Sequence, residues 1–243
     1  MLKFRPRITL LFALLAPLAL HVGQAQAVTY DAVADFQTSS NPNGVWSYLG
    51  GTPISSTLMT TTGTTAGSNL PQWSDQISGF PNQAYITANN TGTAAGNSCC
   101  GSIVYPAHSL QLDGQALGAI VRFTAQTSGI YAINGLFESG DTSMTTHDVA
   151  VIENGSTSLI ATQALVNGNT VPFALSGLSL AANDYIDFVS YGFAGGSFGG
   201  TALQATVSTV SAAAVPEPTS MAILLGALLL MSAMVVRGAH RQR

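Results

Sequence analysis

The middle of this chain predicts an all-β fold, an antiparallel β-sandwich of the jelly-roll kind, on three observations. Between Val28 and Ala214 it is rich in Thr, Ser, Gly, Asn and Ala, with Val, Ile, Tyr and Phe dotted through. Its clearest stretches alternate apolar and polar residues, the period of a half-buried strand. Turn signals separate these runs at intervals of roughly 10–15 residues, and no long segment of helical period intervenes.

The first 27 residues read as a secretory signal peptide. Lys3, Arg5 and Arg7 make a basic start, Ile8 to Leu20 an apolar core, and Ala25-Gln26-Ala27 a small-x-small site with cleavage expected before Val28. The domain proper is then 28–214. Asp31 to Phe36 is expected as a first strand, and Ser40-Asn41-Pro42-Asn43-Gly44 as a turn, because proline fixes φ and Asn-Gly accepts positive φ. Val45 to Leu49 alternates as a short strand. Thr57 to Ser68 reads as a Thr/Gly-rich connection, followed by the apolar anchors Trp73, Ile77, Phe80, Tyr85 and Ile86 and a small-residue loop from Asn89 to Gly101.

The second half is sharper. Ala119 to Ala125 is a strand, and Ile130 to Glu138 is another with Tyr131, Ile133, Gly135 and Phe137 on one face. His147 to Glu153 and Ser158 to Ala164 flank Asn154-Gly155, a strong hairpin signal. Val171 to Leu180 follows, then a turn at Ala181 to Asp184, a strand from Tyr185 to Tyr191, and a last one from Ala202 to Val210.

Beyond the domain lies a three-part tail, 215–243. Val215-Pro216-Glu217-Pro218 leads directly into a charge-free apolar run, Thr219 to Val236, and then into Arg237, Arg241 and Arg243. The run falls within the roughly 17–25 residues that span a bilayer as a helix. The basic end is expected on the cytoplasmic side.

Charge narrows the classes of function. Outside the two terminal segments, ten acidic residues face a single cation, Arg122, a net charge of −9 against −4 for the whole chain. So acidic a domain excludes a nucleic-acid partner, whose binding runs on Lys and Arg, and an anionic lipid surface.

Three kinds of chemistry are open. Trp46, Tyr48 and Trp73 lie among short polar residues, where exposed rings would stack on sugar faces while amides and hydroxyls bond the ring substituents; as core anchors they would do neither. Glu138 with Asp141, or His147 with Asp148, supplies the carboxylates of a polysaccharide-active enzyme, yet no nucleophile elbow accompanies them. Asp31, Asp141 and Asp184 are the carboxylates open to calcium, although no loop has a calcium-binding spacing; no other cofactor is expected. The adjacent Cys99 and Cys100 are either a vicinal disulfide, strained because neighbouring Cα atoms sit about 3.8 Å apart, or free or intermolecular thiols.

Val-Pro-Glu-Pro, an apolar span and an arginine cluster in that order resemble the PEP-CTERM sorting domain. The resemblance implies an exported protein of an exopolysaccharide-producing Gram-negative bacterium. Such a chain would be held briefly in the inner membrane and handled by an exosortase-type enzyme. The body resembles a sandwich domain common among such proteins, through Ser40 to Tyr48, Ala119 to Phe137 and Leu180 to Tyr191. Similar jelly rolls serve as carbohydrate-binding or cell-surface modules. The expectation is therefore a non-catalytic surface or matrix protein associated with extracellular polysaccharide, with a secreted polysaccharide-active enzyme as the alternative.

Overall fold

The computed structural model describes residues 26–75, 83–98, 101–114, 117–143, 146–191 and 200–210. They belong to one compact unit, Gln26–Ser211. Residues 1–25 of the expected signal peptide, the expected sorting motif Val215-Pro216-Glu217-Pro218, the expected span behind it, Arg237, Arg241, Arg243, Cys99, Cys100, Ile77 and Phe80 lie outside the described residues.

Sixteen strands lie among the described residues. The first half holds β1 (Thr29–Asp31), β2 (Trp46–Thr52), β3 (Ser55–Leu58), β4 (Thr61–Thr64), β5 (Pro71–Ser74), β6 (Ala84–Asn89), β7 (Ala95–Gly96) and β8 (Val104–Tyr105). The second half holds β9 (Ser109–Gly114), β10 (Gly118–Thr124), β11 (Gly129–Ser139), β12 (Thr146–Glu153), β13 (Thr157–Val166), β14 (Thr170–Leu180), β15 (Tyr185–Ser190) and β16 (Gly200–Thr209).

Strand order settles the architecture. One sheet runs β14-β11-β16-β9-β6-β5-β4, with β1 also paired to β16, and the other runs β13-β12-β15-β10-β2-β3. Within them, β9 to β16 place β9-β16-β11-β14 opposite β10-β15-β12-β13, the interleaved double Greek key of a jelly roll. The first half extends this frame, adding β6-β5-β4 beside β9 and β2-β3 beside β10. Every strand pair is antiparallel, so one face of each sheet turns inward and the other stays free to be polar.

Aromatic rings bind the two inner faces together. Tyr48 stacks on Trp73 at 6.5 Å, Phe123 meets Tyr131 edge-on at 5.8 Å, and Phe173 meets Phe188 at 5.6 Å, each pair reaching from sheet to sheet. Leu110, Leu112, Ile86, Ile133, Phe137, Val121 and Leu203 fill the space between them.

From β10 onward the strands match the expectation one by one. The Asn154-Gly155 turn has φ values of 49° and 72°, and Ser156 N–H donates to Glu153 C=O at 3.2 Å, closing a primed turn. Two expectations in the first half fail. Asp31 to Phe36 is not a strand: the Asp31 carboxylate accepts the Val33 and Ala34 N–H groups at 2.8 and 3.0 Å, and this Asx turn ends β1 at Asp31 itself. Thr57 to Ser68 is no mere connection, because it completes β3 and supplies β4, short strands rich in serine or threonine at the two sheet edges.

Candidate functional site

The three aromatics expected as sugar contacts are in the core. Trp46, Tyr48 and Trp73 are 1 %, 0 % and 5 % exposed. Each indole N–H is used internally: Trp46 Nε1 donates to the Asp35 carboxylate at 3.1 Å and Trp73 Nε1 to Gln37 C=O at 2.9 Å. Burial, followed by the Asp35 charge, pushes the Tyr48 hydroxyl far above its usual pKa. Inward alternation on β2 and β5 explains the correction, since residues 46, 48 and 73 all occupy the face that meets the opposite sheet.

The concave site lies instead on the outer face of β5, β6 and β9. Alternation sends Trp73, Ile86, Leu110 and Leu112 inward and Gln72, Tyr85, Thr87, Gln111 and Asp113 outward. Register aligns Gln72, Thr87 and Gln111 in one row across three strands, and places Tyr85 opposite Asp113 in the next. These side chains floor a cleft of about 280 Å³ walled by Thr64, Thr65 and Ala66 on one side and Asn97, Ile103 and Tyr105 on the other.

The second wall is a flap, β7–β8, held at three places. Ser98 N–H donates to Ala66 C=O at 3.1 Å, Val104 N–H to Gly140 C=O at 2.8 Å, and Thr142 N–H to Ser102 C=O at 2.9 Å. Asn89, itself buried, donates through Nδ2 to the carbonyls of Thr93, Tyr105 and Pro106. Leu70, Ile103 and Tyr105 form a small apolar cluster beneath it. Across the flap, Asn97 Nδ2 donates to the Tyr105 hydroxyl at 2.8 Å.

Gln111 is the deepest polar group of the cleft, only 2 % exposed. Its amide rests over Gly140 and Gly200, where a Cβ on either residue would overlap it. Nε2 donates a long bond to Gly140 C=O at 3.4 Å, while Oε1 is buried with no hydrogen-bond partner among the described residues. An unmet buried acceptor costs about 1–3 kcal/mol. The Tyr85 hydroxyl donates to Gln83. Its pKa is raised by burial first, then by the Asp113 and Asp75 charges; Tyr105 is also raised, burial again leading, with Asn97 opposing and Asp113 adding. The Asp113 field thus reaches rings on both the floor and the flap.

The other carboxylates expected to do chemistry do not line this cleft. Asp141 accepts Ser143 N–H and Oγ–H at 2.8 and 2.9 Å, Asp184 caps its own turn by accepting Ala181 N–H at 2.7 Å, and Asp31 closes the Asx turn after β1. His147 is buried on β12, and burial, only partly offset by Asp141 and Asp148, lowers its pKa to about 4. Among the described residues no group of three or more His, Cys, Asp or Glu side chains is placed to hold a metal ion. A second, more open hollow of about 420 Å³ beside Asp35 and Asn43 has its carboxylate already committed to Trp46 and to Asp31 N–H.

Sequence reading missed Gln111 and Asp113. The signal was present in Leu110-Gln111-Leu112-Asp113, four alternating residues of an unassigned strand.

No known protein family and no curated protein matches this chain. Solved structures give distant likenesses. The xylan-binding CBM22-1 domain of Paenibacillus barcinonensis Xyn10C is 11 % identical over 76 % of this chain and 95 % of its own, with a TM-score of 0.37. The CBM36-1 domain of a multidomain xylanase from the hindgut metagenome of Trinervitermes trinervoides is 12 % identical over 54 % and 99 %, with a TM-score of 0.32. A family 35 carbohydrate-binding module from Clostridium thermocellum is 17 % identical over 53 % and 92 %, with a TM-score of 0.30. Overlaps this loose carry no weight about function, and the jelly roll stands on this chain's own strand order.

Proposed function

We propose that this protein is an exported, non-catalytic surface or matrix component whose sandwich binds polysaccharide in the cleft over β5, β6 and β9. The observation that carries the proposal is the lining of that cleft. Amides, hydroxyls and two tyrosines surround the buried Gln111 acceptor, with one carboxylate and no lysine or arginine. Sugars present many hydroxyl donors and acceptors together with apolar C–H faces, and short polar side chains beside aromatic rings match both. Glycosidases as a rule work with two carboxylates flanking the scissile bond, and Asp113 is the single carboxylate in this lining.

Export and sorting rest on the sequence. The basic and apolar start, the small-x-small site and the Val215 to Arg243 tail support secretion across the inner membrane of a Gram-negative cell. The same features support processing by an exosortase-type enzyme and association with exopolysaccharide.

The test is co-sedimentation of the full-length protein with insoluble polysaccharides, paired with a reducing-end assay. Retention without new reducing ends, weakened in Gln111→Ala, is the expected result. No retention on any polysaccharide removes the binding role, and reducing ends that accumulate with time transfer the reading to an enzyme.

A further inference from the structure

The walls of the cleft are tied together at both flanks and at the back. At the flank beside β4 the two walls meet, with Ser98 N–H donating to Ala66 C=O at 3.1 Å. Gly67 comes so close to Ser98 there that a Cβ on it would stand 2.6 Å from the serine side chain. At the opposite flank the flap is fixed beside Gln111, where Val104 N–H donates to Gly140 C=O at 2.8 Å. At the back, Asn89 and Ser109 face each other in register, and both donate to Pro106 C=O, at 3.0 and 2.7 Å.

Exposure of the outward residues accordingly rises in one direction along the strands. On β6 it goes from Asn89 at 0 % through Thr87 at 3 % to the half-buried Tyr85. On β9 it goes from Ser109 at 1 % through Gln111 at 2 % to the half-buried Asp113. The space is therefore shut toward the Asn89–Ser109 row and opens past the Tyr85–Asp113 row.

We infer that the cleft is a blind socket for the end of a glycan chain, with the terminal residue over Gln72 and Thr87 and the rest leaving past Tyr85 and Asp113. This rests on the glycan reading and names the part of the polymer that the same site takes. An internal segment must both enter and leave, and a chain running inward would meet the Ala66–Ser98 join, the Val104–Gly140 tie or the Asn89–Ser109 row. A terminal residue carries a free hydroxyl where an internal one carries the next ring, so only an end fits against a closed back. Size agrees: about 280 Å³ lies at the small end of the range for small-molecule pockets, about 300–1,000 Å³, and does not hold a long stretch of polymer.

The experiment measures binding of the full-length protein in detergent to three soluble linear glycans, a β-1,3-glucan, an α-1,6-glucan and a β-1,4-xylan. Each is used as a short and a long fraction, tenfold apart in mean length. A chain has one end of each kind whatever its length, whereas its internal registers multiply with length. For any glycan that binds, the Kd per mole of chain should be the same for the short and long fractions. A Kd per mole of chain that falls about tenfold in the long fraction overturns this inference and leaves the glycan reading standing. Silence from all three glycans removes both. Gln72→Trp, which fills the floor at a half-buried position, should abolish binding at both lengths. A folded Gln72→Trp protein that binds as the native one does takes both readings away from this cleft. The length comparison needs only the native protein, so it decides the matter even where Gln72→Trp folds poorly.

Discussion

Arg122 and Asp187 face each other across β10 and β15 on the outer face of their sheet, with Arg122 Nε and Nη2 donating to the two carboxylate oxygens at 2.7 and 2.9 Å. The guanidinium also lies over the Tyr185 ring, 3.7 Å from its centroid. Asp187 is fully buried; burial raises its pKa more than Arg122 pulls it down. Removing one partner leaves a buried charge without its mate, so Asp187→Ala should cost about 3 kcal/mol. Replacing both, Arg122→Met with Asp187→Leu, should restore most of that loss. Denaturant melts of the two singles and the double decide it, and equal losses in single and double would contradict the pairing.

A pH dependence follows from His147. Its folded pKa of about 4 lies below the ordinary value of 6.5, because burial disfavours the imidazolium. The unfolded chain therefore takes up a proton that the folded one refuses, and stability is lost as pH falls from about 6.5 to about 4. The loss contributed by this group approaches about 2–3 kcal/mol at the acid end. Thermal melts between pH 7 and pH 4 should show it, and His147→Gln should flatten that slope.

The Asn154-Gly155 turn is tested by one methyl-bearing residue. A Cβ at position 155 would stand 3.0 Å from Pro53 C=O and from the Tyr185 hydroxyl, at a φ of +72° that β-branched residues avoid. Gly155→Val should lower stability by about 1 kcal/mol or more. An unchanged melting temperature would remove the turn from its place in the packing.

Glycines 140 and 200 make the bed of Gln111. Gly200→Ala should displace the amide, costing about 1–3 kcal/mol, and should abolish retention on polysaccharide. In a Gln111→Ala background the same change should cost much less stability, because the overlapping group is gone. A double-mutant cycle reads the coupling directly. Additive effects would mean that the two residues do not touch.

Processing is checked on the protein as cells make it. Mass spectrometry of surface or culture material should find chains beginning near Val28 and lacking Met221 to Arg243. Recovery of mostly full-length tail would contradict the sorting role of Glu217 and its neighbours.

How much of this was legible beforehand depended on where alternation met turn chemistry. Ile130 to Glu138 and the two strands flanking Asn154-Gly155 could be read directly, since a period of two beside an Asn-Gly turn has one plausible structure. The first half hid its strands because β3 and β4 are made mostly of serine and threonine and are mostly exposed, with almost no apolar face to mark the period. The aromatics misled for a related reason: composition puts Trp46 and Trp73 among polar neighbours, but only the pairing of β2 and β5 into opposite sheets turns them inward. The outward place of Gln111 could be read from its alternating strand, but its burial could not, because Gly140 and Gly200, which lie against its amide, are distant in the chain.

The last strand of the domain is also among its most central. β16 lies between β9 and β11 and shares its far end with β1, the first strand, so residues near 30 and near 207 become neighbours. Until residues 200–209 have been delivered, β9 and β11 lack their common partner, β1 has nothing to pair with and the two Greek keys stay open. Contacts of such long sequence separation form late and make folding slow. The sheet that holds β9, β11 and β1 therefore closes only once β16 is in place, a pairing that joins the two ends of the described domain.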